Sequence, residues 1–296
     1  MNETRHSNSL PAAFVAAAGQ WSVPGSSACV RCVGFGAMMR FMHMLLACSP
    51  DVPAVRVERL RCRLGSERTL VVPRLRVAAG EIVAIMGLNG AGKSTLLRCI
   101  LDLWAIQSGD IELFGIPHRN PLSRARSAFL PERFMPLYYL RGRDLLSYVL
   151  ALHGQRYVET EARAMCSEFD LDPGALERPV RDLSKGMAQK LGLAACLLSR
   201  RPLLLLDEPA SGLDARGRRA LSTRLCRHRE SGGSVLFTSH HAADVETLAN
   251  RLLVVHAGQT PFFGSGAELR ARFHGESLEA SFLSCIDRMT ERECRP

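Results

Sequence analysis

The chain has 296 residues, 47% hydrophobic and 23% charged, with a net charge of +9 carried mostly by arginine. This composition supports a buried core. No uninterrupted apolar run reaches the roughly 18–20 residues needed to cross a bilayer as a helix. The nearest, VGFGAMMRFMHMLLAC at 33–48, is broken by Arg40 and His43. The basic residues are dispersed with few interleaved aromatics, so charge without a reading motif is a weak signal for a nucleic-acid partner. Of ten cysteines only Cys29 and Cys32 form a Cys-x-x-Cys, and no second pair accompanies them at zinc spacing. Cys99 and Cys196 fall inside apolar helical runs, as small core residues do. A reducing compartment fits this usage.

Residues 1–50 are rich in Ala, Ser, Gly and Pro and show neither helical nor strand periodicity. They lack the basic, apolar and small-residue order of a signal peptide. Two readings stand: a disordered extension, or a start placed too early, with Met42 or Met44 nearer the beginning. From Val55, AVRVERLRCRL alternates as a strand does, and TLVVPRLRVAAGEIVAIMG gives two more strands around a turn at Ala79 and Gly80. EIVAIM is a short, wholly apolar run, the pattern of a parallel strand covered on both faces. KSTLLRCILDL reads as a helix, and SGDIELFGIP as alternation ending in a turn. From 141 to 200 the chain is mostly helical: RGRDLLSYVLALHG, YVETEARAMCSEFDL and a helix opening at Ser184. After Pro202 strands and helices alternate: LLLLDE, DARGRRALSTRLCRHRES, SVLFTS, HAADVETLANR and LLVVHAG. That order predicts a parallel sheet with helices on its faces, plus a separate helical lobe. A short amphipathic helix around SLEASFLSCI ends the pattern.

GLNGAGKST at 87–95 fits G-x-x-x-x-G-K-[ST], directly after a strand and directly before a helix. Gly87, Gly90 and Gly92 permit the tight turn, and the backbone of Asn89, Ala91 and Thr95 is placed to face an anion. Lys93 would reach the β- and γ-phosphates, and Ser94 would ligate Mg2+. Asp207, at the end of LLLLDEP, is the carboxylate expected to help hold that metal. Neighbouring strand side chains point in opposite directions, so Glu208 is free to polarise an attacking water. In LSKGMAQK at 183–190, Ser184 reads locally as a helix N-cap.

Taken in order, these motifs resemble the nucleotide-binding subunit of an ATP-binding-cassette transporter, from about Val55 to Gly266. Lys93 falls in the Walker A loop, Asp207 and Glu208 in Walker B, SGLD with Asp214 in the D-loop, and TSH with His240 in the switch loop. LSKGMAQK falls on the signature, with Ser184 and Gly186 retained and Lys185 and Met187 in place of the commoner glycine and glutamine. Glu132 aligns with the usual glutamine of the loop joining core to lobe, as a further oxygen toward Mg2+. Leu64 stands where an adenine-stacking aromatic is common. The resemblance implies an α/β fold: a P-loop NTPase core whose mostly parallel sheet is flanked by helices, with an N-terminal antiparallel β region and an inserted helical lobe. It places the cassette at 51–270, the lobe at about 133–200 and a short helical tail at 271–296. It implies ATP and Mg2+ as ligands, and catalytic roles for Glu208, His240 and Lys93. It also implies a second cassette, read as another copy of this chain, contributing Ser184, Gly186 and Asp214 to the opposite site. The partner would be a multi-span permease holding the subunit at the cytoplasmic face of the plasma membrane. Lys185 and the Leu-Pro-Glu loop resemble exporter-type cassettes. The rival reading is a soluble cassette that clamps ribosome or nucleic acid, with basic charge as its one support.

Overall fold

The alternation near Val55 becomes β1, Val55–Leu64, paired antiparallel with β2, Arg68–Val77. The computed structural model describes residues 52–65, 68–134 and 137–293. The reading of residues 1–50, with Cys29 and Cys32, lies outside them. β3, Ile82–Met86, follows the expected turn, and α1, Lys93–Ile100, follows the glycine-rich loop. β4, Ile106–Leu113, returns antiparallel to β1, and β5, Ile116–Pro117, completes a four-stranded sheet in the order β2-β1-β4-β5. A single helical turn, α2 at Pro121–Arg124, leads to β6, Ser127–Leu130.

The helical lobe contains α3, Gly142–Leu152, α4, Glu159–Glu168, two 3-10 turns at Pro173–Glu177 and Val180–Asp182, and α5, Lys185–Leu198. Then come β7, Leu203–Leu206, α6, Ala215–Glu230, β8, Ser234–Ser239, α7, Ala242–Leu248, and β9, Arg251–His256. β10, Gln259–Gly264, α8, Gly266–Phe273, and α9, Leu278–Glu293, complete the order. The second sheet runs β10-β9-β3-β8-β7-β6, parallel throughout except for β10. Among the described residues no helix is long and apolar enough to cross a membrane.

β3 explains why the central strands are wholly apolar. Ile82, Ala84 and Met86 belong to the core shared with the helical lobe, while Val83 and Ile85 face the core holding α1 and the antiparallel sheet. One strand thus serves two cores, because alternate side chains leave opposite faces.

Two strands go beyond the sequence reading. β6 is a four-residue run, Ser127–Leu130, stopped by Pro131 but too short to show a period. β10 carries Pro261, which removes a donor. It is accordingly an edge strand with a register shift between Gln259 and Phe262. The C-terminal helix is also longer than expected. Leu278, Phe282, Cys285 and Ile286 recur at helical spacing, are buried, and join the lobe-side core.

The β1–β4 ladder shifts register between Glu58 and Arg61. Arg59 there has a left-handed φ of 49°, and Gly109 opposite it has φ 99°. A Cβ at Gly109 would lie 2.5 Å from the Arg59 carbonyl oxygen and 2.6 Å from Leu60 Cα. This is a β-bulge that only glycine can face. Gly109→Ala is therefore expected to lower unfolding free energy by about 1–3 kcal/mol, the usual cost of overpacking. Urea denaturation checks it; an unchanged midpoint would rule out the close approach.

Candidate functional site

The glycine-rich loop leaves the end of β3 and turns into α1. Gly87 passes so near β9 that a Cβ there would stand 2.3 Å from the Val255 carbonyl oxygen. Gly90 and Gly92 take left-handed φ of 75° and 119°. Gly92 is the N-cap of α1 and offers no side chain to its first N–H groups, which leaves that helix end suited to an anion. The loop is braced from behind by the β9–β10 turn. Gly258 N–H donates to Ala91 O at 3.1 Å, and Gly258 O accepts from Val71 N–H at 2.7 Å.

Lys93 folds back over this loop, only 6% exposed. Its Nζ donates to Gly87 O at 2.9 Å and Leu88 O at 3.3 Å, and lies 3.2 Å from Glu208 Oε1. Asp207 is buried. Its Oδ1 accepts from Ser94 Oγ at 3.0 Å and from Thr238 Oγ1 at 2.7 Å. The Thr238 hydroxyl in turn accepts from Glu208 N–H at 2.8 Å. Glu208 Oε2 meets His240 Nδ1 at 2.9 Å. Its Oε1 is buried and faces the Lys93 ammonium as an ion pair that lacks hydrogen-bond geometry.

Asp207 and Glu208 do diverge, but for a reason other than strand alternation. β7 ends at Leu206, and Glu208 turns into the left-handed region at φ 48°. That conformation costs a non-glycine residue roughly 1–3 kcal/mol and persists where the surroundings enforce it. Here Thr238 holds its N–H, while Lys93 and His240 hold its carboxylate. The strand order makes this possible. β8 lies between β3 and β7, so Thr238 at its end stands between the phosphate loop and both carboxylates.

These groups border a cleft of ≈ 350 Å³ lined by Leu88 to Thr95 together with Leu64, Glu132, Glu208, Ser211 and His240. Leu64, Asn89, Gly90, Ala91, Gly92, Lys93, Ser94, Thr95, Glu132, Glu208 and His240 are thus brought together, with Gly87 and Asp207 directly behind them. Ser184, Gly186 and Asp214 do not line it. Ser184 caps α5, its Oγ accepting from Met187 N–H at 3.2 Å. Asp214 caps α6, accepting from Gly217 N–H at 2.7 Å, and that bond holds its carboxyl below the usual range. A hydroxyl and a carboxylate converging from α1 and β7 form an all-oxygen donor pair of the kind Mg2+ takes. Thr238 and Ser211 were not foreseen as site residues. Thr238 is one of three hydroxyl residues in the strand SVLFTS, so the sequence does not single it out.

Replacing Thr238 with Val keeps the shape but strands the buried Glu208 N–H and takes a donor from Asp207. The expected loss is about 1–3 kcal/mol of stability, with Thr238→Ser recovering most of it. Equal melting temperatures for wild type and Thr238→Val would remove the bridge from this account.

The geometry can be set beside known proteins. The sequence pattern of the ABC transporter family matches residues 72–211. The daunorubicin resistance ATP-binding protein DrrA3 of Streptomyces coeruleorubidus is 34% identical over 231 residues, 76% of this chain and 72% of that protein. The cytochrome c biogenesis ATP-binding export protein CcmA of Zymomonas mobilis is 38% identical over 226 residues, covering 75% of this chain and 92% of CcmA. A solved ATP-binding subunit of an ABC transporter superposes with a TM-score of 0.69 at 28% identity, covering 78% of this chain and 99% of that one. With a glycine-rich loop lysine, a buried aspartate and an adjacent glutamate beyond the C-terminal ends of central strands, and with these relatives, the chain belongs to the ABC transporter family, as one of its ATP-binding, ATP-hydrolysing subunits.

Proposed function

We propose that two copies of this chain close head to tail over two ATP molecules and power export through a separate multi-span membrane permease, from the cytoplasmic face of the plasma membrane. The observation that carries this reading is the division of the site. Lys93, Glu208 and His240 line one cleft with Asp207 behind it, whereas Ser184 and Gly186 stand outside it, at the N-terminal end of α5. That end offers N–H groups and a favourable dipole to an anion held by another molecule. Transport in the export direction is supported by what DrrA3 and CcmA are named for, and by Lys185 and the Leu-Pro-Glu loop.

In this reading Lys93 and the loop N–H groups hold the β- and γ-phosphates. Ser94 and Asp207, with Glu132 reaching in from the cleft wall, would hold Mg2+, which neutralises phosphate charge when bound. An arriving γ-phosphate competes with Glu208 for Lys93. Glu208 Oε1 then accepts a proton from the attacking water, while His240 fixes Glu208 through Oε2 and contacts the γ-phosphate. Leu64 covers the base with an aliphatic surface. Closure of the dimer completes the site and excludes water, so the conformational step belongs to the cycle.

Glu132 also lines a second, larger groove of ≈ 590 Å³ between the loop after β6 and the start of α5. A permease segment seated there would touch a residue that borders the nucleotide. The coupling role of Glu132 rests on this shared position.

Glu208→Gln is expected to bind ATP, form a stable dimer and hydrolyse at least about 100-fold more slowly. Gel filtration with ATP and a phosphate-release assay check this, and near-normal turnover would remove Glu208 as the base. Glu132→Gln is expected to shift the Mg2+ dependence and weaken transport-coupled hydrolysis in reconstituted membranes. If neither moved, the coupling role would fall. Recovery of the tagged chain with a multi-span membrane protein supports the transport reading. Recovery with ribosomes or DNA supports the clamp.

A further inference from the structure

Lys190 is a charge to which the mechanism above gives no task. It lies on the buried side of α5, 7% exposed. Its ammonium has two acceptors from different parts of the chain. Nζ donates to Asp170 O, just beyond α4, at 3.1 Å and lies 3.6 Å from Asp214 Oδ2, at the start of α6. Taking an ammonium out of water costs several kcal/mol unless it is paired and hydrogen-bonded. A simple apolar contact could have filled the same space.

The first turn of α5 presses on the same loop. A Cβ at Gly186 would stand 2.8 Å from the carbonyl oxygen of Gly212, and one at Gly217 would stand 3.2 Å from Lys190 Cε. Gly186 therefore has a packing reason within its own chain. The stretch from Glu208 to Asp214 contains little slack. Ser211 N–H donates to Glu208 O at 3.0 Å, Leu213 N–H donates to Ala210 O at 3.2 Å, and Ala210 and Leu213 are buried in the lobe-side core. Ser211 lines the nucleotide cleft from within this stretch. Asp214 closes it by capping α6.

We infer that Lys190 is a positioning residue, tying the Ser184–Gly186 end of α5 to the Glu208–Asp214 segment. The half-site offered to a partner's nucleotide then moves as one piece with the carboxylate acting on the protomer's own. This rests on the head-to-tail dimer proposed above. It adds a mechanical link between the two nucleotide sites that runs inside one chain. The link can be cut without opening the core, because Asp214 is 58% exposed at its side chain while Lys190 is 9% exposed.

Asp214→Asn keeps the helix cap, since Asn and Asp cap equally well, but removes the charge that faces Lys190. Lys190→Met fills the same space without charge, and Lys190→Arg keeps the charge. ATP hydrolysis by these variants and by the Lys190→Met/Asp214→Asn double variant is to be measured alongside thermal melting. The expected result is a fall in kcat of about fivefold in each single variant, with KM for ATP within about twofold. The double variant should be no slower than the slower single one, as for residues in one contact network. Lys190→Arg should recover most of the rate, and Asp214→Asn should melt within about 3 °C of wild type. An unchanged kcat in Asp214→Asn, or fully multiplicative losses in the double variant, would overturn the inference. Dimerisation of Glu208→Gln with ATP separates the two levels. If that dimer fails to form, the head-to-tail reading fails and takes this inference with it. If it forms while Asp214→Asn keeps its full rate, the link alone is wrong.

Discussion

The chemistry of this subunit depends on one buried hydroxyl. Thr238 is the penultimate residue of the middle of three adjacent parallel strands and is completely buried. It donates to the carboxylate of Asp207 and accepts from the backbone of Glu208, and so fixes two neighbouring acids in different orientations. Asp207 is thereby aimed at Ser94 and α1, and Glu208 at Lys93 and His240. In a low-dielectric setting each of these bonds is stronger than in water, and each unmade one is costlier. The cluster is satisfied at nearly every atom. The exception, Glu208 Oε1, is held by the Lys93 ammonium as an ion pair without a formal hydrogen bond.

Around this centre, part of the positive charge of the described residues is paired locally. Arg251 bridges β9 to Glu81 beside β3, Arg224 and Arg227 meet Glu168, and Arg200 meets Glu161. Surface pairs of this kind contribute little to stability.

The fold was legible wherever the signal is local. Val55–Leu64 announced its pleat, EIVAIM its double burial, and GLNGAGKST its turn, because each depends on spacing within about ten residues. Ser184 was also readable as a cap, since a cap needs only its own helix. What could not be read depends on distant partners. Thr238 and Asp207 are 31 positions apart, and Gly258 braces Ala91 across the whole helical lobe. β6 is too short to carry a periodicity. Lys190 looks like any basic residue of a polar turn until α5 is placed against the Asp214 loop. Even the divergence of Asp207 and Glu208 came out right on a local argument while its cause was the left-handed backbone at Glu208.

That backbone sets an evolutionary conflict at a single position. A φ of 48° suits glycine far better than glutamate. The replacement that would best relax the chain there is therefore also one that deletes the carboxylate. In its proposed role as base, Glu208 is pulled in opposite directions by selection for a sturdier fold and selection for turnover, the general bargain of a strained active site. Lineages that keep the cassette only as a scaffold are released from that conflict. A relative carrying glycine at this position would be expected to gain robustness while losing hydrolysis.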